Sequence, residues 1–141
     1  MSEAIAQGTV LAADVRGELA ESCELREDPP RLRARLSEDG YVLLRGVVDR
    51  QVVMAARQEV FERLEGVGEI LPPAGEGIAS GESLRREREA DLGVFWRSVS
   101  QGVRLRAATH GPEMQAVMDL LVGEQAVAHD YLFLRPGPVS R

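Results

Sequence analysis

The chain has 141 residues, of which 44% are hydrophobic and 28% charged, with a formal net charge of −6 and a pI near 5.0. That length supports one domain with its own core. The acidic balance argues against a general nucleic-acid binder, which needs cations to displace counterions from phosphates, and no apolar run reaches the ~20 residues of a membrane span. Cys23 is the lone cysteine, so an internal disulfide and a thiolate metal cluster are both excluded. The start "MSEAIAQGTVLAADVRGE" has no basic region and carries acids early, which predicts neither a secretory signal nor a transit peptide and so a cytoplasmic protein. Every basic side chain apart from histidine is arginine, and lysine and asparagine are absent, a composition in keeping with a GC-rich bacterial genome. The arginines of "SLRREREA" are interleaved with glutamates and predict a solvated, self-neutralising face.

Residues 1–27 have mixed polarity and weak periodicity, predicting a loose segment with one helical stretch around Ala13 to Ser22. In "DPPRLRARLSEDG" both helix ends are marked. Asp28 can cap, Pro29 suits the first position, Leu32 and Leu36 share a face, and Gly40 can take the left-handed terminating conformation. "YVLLRGVV" is an apolar, β-branched run too short for a helix and predicts a strand. Asp49 is placed to cap a helix with Val53, Ala56, Val60 and Leu64 on one stripe, ending at Gly66. Between Val67 and Asp91, Pro72, Pro73, Gly75, Gly77 and Gly81 predict a long surface loop, with a short strand at "GEIL".

"LGVFWRSV" reads equally as a strand or as the start of a helix, with Phe95 and Trp96 filling the core. "THGPEMQAVMDLLVG" predicts a helix from Pro112 to Gly123 with Met114, Val117, Met118 and Leu121 on one stripe. The last segment, Gln125 to Arg135, predicts a strand with Val127, His129, Tyr131, Phe133 and Arg135 on one face, ended by Pro136, Gly137 and Pro138.

The stretch "SEDGYVLLRGVVDRQVVMAARQEVFERL", followed later by "HGPEMQAVMDLLVG" and "YLFLRPGP", resembles the opening of the phytanoyl-CoA dioxygenase family across about Arg31 to Gly137. The resemblance implies an α+β fold, namely the N-terminal helices and first strands of a double-stranded β-helix (jelly-roll) oxygenase whose barrel this chain leaves incomplete. Residues 28–141 would form the N-terminal part of a single dioxygenase-like domain. It also implies ferrous iron and 2-oxoglutarate as cofactors and a small organic molecule as substrate. Family members hold iron on a His-x-Asp pair and a distant histidine, which leaves open positions for the oxo-acid and dioxygen. Residues two apart on a strand point the same way, so the pair can share one metal.

This chain has no such pair. Its histidines stand in "THGP" and "AHDY", and His129 and Asp130, being adjacent, would face opposite sides of a strand. The expectation is therefore an N-terminal fragment, inactive alone and binding neither cofactor by itself, with the iron ligands and the oxo-acid arginine beyond Arg141. Two residues are carried over from the resemblance as cofactor-pocket candidates. Tyr131 stands at the strand position that lines the 2-oxoglutarate pocket, and Arg97 near a basic residue that contacts the cofactor in some members. The loop from Pro72 to Asp91 is a candidate lid or substrate-facing loop.

Two other readings stay open. A naturally short binding or assembly protein on the same scaffold would leave the final strand exposed and able to form a homodimer. An unrelated small helical domain would leave "YVLLR" and "YLFLR" as something other than neighbouring strands.

Overall fold

The computed structural model describes residues 5–6, 8–10 and 17–134. The chain divides into two compact units, Met1–Arg45 and Gly46–Arg141. The described residues are mostly helical, and the expected jelly-roll strands are not among them. Among the described residues the only strands are β1 (Ile5–Ala6) and β2 (Thr9–Val10), an antiparallel pair.

In the first unit, residues 17–22 contain no helix, against the stretch expected around Ala13 to Ser22; Ala13 to Arg16 lie outside the described residues. A 3₁₀ turn at Cys23–Leu25 leads into helix α1 (Pro29–Asp39). Asp28 caps it by accepting from the Arg31 N–H at 3.2 Å, and Gly40 ends it at φ 76°. Leu25 and Leu32 are buried.

"YVLLRGVV" does not extend into a strand. Leu43 makes one parallel bridge with Glu21, the Ser22 N–H donating to the Leu43 carbonyl at 2.9 Å. On either side, side chains take the backbone groups. The Tyr41 hydroxyl accepts from the Ala20 N–H at 3.0 Å, and Cys23 Sγ accepts from the Arg45 N–H at 3.2 Å. A ladder cannot propagate past residues whose donors are already engaged elsewhere.

The second unit is built on helix α2 (Arg50–Gly66), which Asp49 caps through the Gln51 N–H at 2.7 Å. Of its expected stripe, Ala56 is buried and Val60 and Leu64 are half-buried, while Val53 is exposed. A one-turn helix α3 (Arg85–Arg88), then α4 (Leu92–Ser100), α5 (Val103–His110) and α6 (Pro112–Val122) follow. "LGVFWRSV" is thus helical. Asp91 decides it by accepting from the N–H groups of Gly93 and Val94 at 2.7 and 3.1 Å. Val67, Phe95 and Val99 form the centre of the core, with Val60, Leu64, Trp96 and Leu134 packed around them.

Helix α5 packs along α2 and begins at Gly102, which has no side chain to cap it. Glu59 of α2 supplies the cap, accepting from the Leu105 N–H at 2.9 Å. A Cβ on Gly102 would lie 2.2 Å from Glu59 Oε2, so the close approach needs glycine there.

The segment between α2 and α3 is tied to α2 at residues 74–76. Arg57 donates to the Gly75 and Glu76 carbonyls at 2.8 and 3.2 Å, and Glu65 accepts from the Ala74 N–H at 2.8 Å. Ile70 and Ala79 form an antiparallel bridge where a short strand at "GEIL" was expected. Among the described residues no helix is long and apolar enough to cross a membrane.

Candidate functional site

A cleft of about 1020 Å³ opens between one face of α4 and residues 129–134. Its α4 wall carries Leu92, Trp96, Arg97 and Ser100, which recur at helical spacing and so share one side. The opposite wall contains Tyr131, Leu132, Phe133 and Leu134. The two sequence-derived candidates, Arg97 and Tyr131, therefore line the same cleft although 34 positions separate them in the chain.

Trp96 is fixed from behind. The Arg85 guanidinium lies 4.3 Å from its ring centroid and pairs with Glu69, and Phe95 meets it edge-on at 5.2 Å. Stacking of this kind holds the indole and leaves its remaining surface to the cleft.

The wall formed by residues 124–134 is not the expected strand. Side chains of α5 and α6 hold it instead. Gln115 donates to the Ala126 carbonyl at 2.7 Å, and Asp119 accepts from the Ala126 N–H at 2.7 Å. Arg106 donates to the Asp130 carbonyl and, at 3.1 Å, to its carboxylate. His129 Nδ1 accepts from the Tyr131 N–H at 3.0 Å, which bends the chain at the point where a strand would run straight. The expected two faces are not kept: Val127, Tyr131 and Phe133 are exposed, but so are Ala128 and Asp130 of the other face, while Leu134 packs against the core. Arg135 and the residues after it lie outside the described residues.

His110 closes the network. The Thr109 hydroxyl donates to the Leu105 carbonyl at 3.1 Å, so it accepts from His110 Nδ1, 2.8 Å away. Nε2 is then the lone-pair nitrogen and accepts from Arg106 Nη1 at 2.9 Å. This assignment leaves the 3.1 Å approach of Nε2 to the His129 carbonyl without a proton.

The donor set does not fit ferrous iron. The His110 lone pair is occupied by a guanidinium, His129 Nδ1 by a backbone N–H, and the Asp130 carboxylate by Arg106. Among the described residues no three potential ligands come together. Sequence reasoning missed Arg106, His110, Gln115 and Asp119 as the groups that build this wall. The spacing of Gln115 and Asp119, i and i+4 on one helix, was the available signal.

No protein-family model matches the chain, and neither the curated proteins nor the solved structures give a match.

Proposed function

We propose that this chain is the leading helical portion of an iron and 2-oxoglutarate dependent oxygenase of the phytanoyl-CoA dioxygenase type, acting on a small organic substrate and contributing helices rather than metal ligands. The observation that carries the reading is the order of helices. Helices α1, α2 and α6 fall on the stretches where the resemblance implies helices, each with the expected capping residue or terminal glycine. In this reading the described residues take no direct part in oxygen chemistry, and the 141-residue chain binds neither ferrous iron nor 2-oxoglutarate.

The deciding experiment is to read the source transcript beyond the Arg141 codon. A His-x-Asp pair soon afterwards, in frame, would support the proposal. An immediate stop would defeat it, as would tight stoichiometric iron binding by the 141-residue chain under anaerobic titration.

A second reading, a binding or assembly module working without metal, is favoured by one observation. Tyr131 and Phe133 stand exposed, as that reading expects; the absence of a strand at "YVLLR" and "YLFLR" among the described residues is instead what an unrelated small helical domain would give. Concentration-dependent association in sedimentation velocity, abolished by Tyr131→Ser with Phe133→Ser, would favour this reading, whereas a monomer at all concentrations would remove it. The partner would then be a second copy of the chain.

A further inference from the structure

We propose that the cleft between α4 and residues 129–134 binds an amphipathic monocarboxylate, an apolar chain or ring carrying one carboxylate, with Arg97 holding the acid group. This does not depend on the oxygenase reading.

The first argument is charge. Arg97 is exposed on the cleft wall, and among the described residues no carboxylate pairs with its guanidinium. Asp130 is the one acid on the walls, and Arg106 opposes its charge at 3.1 Å. Arg97 is thus left without an acid partner on the walls, and a planar guanidinium matches the two oxygens of a carboxylate.

The second argument is the remaining surface. Trp96, Tyr131, Phe133 and Leu132 make the walls around that cation chiefly apolar. A volume of about 1020 Å³ suits a ligand of drug or lipid-fragment size. The cleft is a poor match for 2-oxoglutarate. That molecule is small and carries two carboxylates, so the second would face apolar walls with no cation of its own. The pairing of Arg97 with Tyr131 therefore points to an apolar acid rather than to the oxo-acid.

The third argument is preorganisation. Trp96 is held by Arg85 and Phe95 before any ligand arrives. The α4 wall therefore loses little side-chain freedom on binding.

Trp96 is the single tryptophan in the chain, so its emission reports on this cleft alone. The experiment titrates the 141-residue protein with decanoate below its micelle concentration. Decanol, decyltrimethylammonium and 2-oxoglutarate serve as comparisons. The expected result is a saturable change in Trp96 emission with decanoate and about tenfold weaker binding of decanol, the value of one charge-assisted hydrogen bond. Decyltrimethylammonium should bind more weakly still. Arg97→Gln, an exposed substitution, should bring decanoate down to the level of decanol while leaving the unfolding midpoint unchanged.

The proposal is overturned if decanoate gives no saturable signal, or if decanoate, decanol and decyltrimethylammonium bind alike. Binding of decanoate that Arg97→Gln does not weaken would overturn it too. So would 2-oxoglutarate binding more tightly than decanoate, which would return the cleft to the oxo-acid.

Discussion

In residues 50–122 most backbone groups are met within helices, with Glu59 capping α5, and the apolar faces close on Val67, Phe95 and Val99. Residues 124–134 have no helix or ladder, and their backbone is met by Gln115, Asp119, Arg106 and the ring of His129. The first arrangement is cooperative, since each turn supports the next. The second is a set of separate attachments, each of which can be lost without the others. Stability should therefore be concentrated in the helical body and opening in the segment, the division expected of a scaffold and the binding wall it carries.

The largest effect should come from the body. Phe95→Ala removes a ring at the centre of the core and is expected to cost about 3–5 kcal/mol in urea denaturation; a loss below about 1 kcal/mol would mean that the core lies elsewhere. Next, Glu59→Ala should cost about 1–2 kcal/mol by uncapping α5. Gly102→Ala should cost a similar amount, because its Cβ displaces the same carboxylate. The two changes should then be far from additive in a double-mutant cycle, and simple additivity would separate Gly102 from the cap.

In the segment, Arg106→Met removes the bonds to Asp130 and also those to the Ser100 carbonyl and His110, so it should cost about 1 kcal/mol of global stability. Amide exchange at residues 129–131 should nevertheless rise well above that of α4, and uniform protection across both regions would contradict the division drawn above.

The first unit shows the same contrast on a smaller scale. Ser22 is fully buried, and its hydroxyl has no hydrogen-bond partner among the described residues, so Ser22→Ala should be neutral or stabilising by up to about 1 kcal/mol. A clear loss of stability would show that the hydroxyl has a partner after all. The exposed Glu21–Arg45 pair gives the smallest effect. Glu21 raises the Arg45 pKa, first through its hydrogen bond and then through its charge. A raised pKa on a cation means a contribution that is complete below the ordinary arginine range and lost only as pH climbs beyond it. Glu21→Gln should accordingly change the thermal midpoint only slightly and by the same amount across neutral pH, and a pH-dependent difference there would overturn that sign.

The helices that could be read from the sequence carry their own end signals. Asp28 with Pro29 and Gly40, Asp49, and Pro112 with Gly123 mark three helices whose ends the structure reproduces within a residue or so. Helix α5 was not legible, because its cap comes from Glu59, 46 positions earlier, and no local pattern announces it. The strand expectations at "YVLLRGVV" and at Gln125 to Arg135 rested on apolar, β-branched or aromatic runs. Such runs register that a segment is to be half-buried, but not whether a neighbouring strand exists to receive its hydrogen bonds. At the cleft, Arg97 and Tyr131 were named from a family resemblance, while the side chains that shape the wall around them are ordinary helix-surface residues until the tail folds across them.

The Glu59 cap also bears on the order of events during folding. An eight-residue helix that starts at a glycine is below the length at which helices persist alone in water. It acquires its first-turn acceptor only when α2 is already formed and alongside. Helix α5 should therefore be a late arrival templated by its neighbour. The corner between α4 and α5 would set when the two halves of the unit join, and loss of that carboxylate would be felt at the joining step rather than in either half.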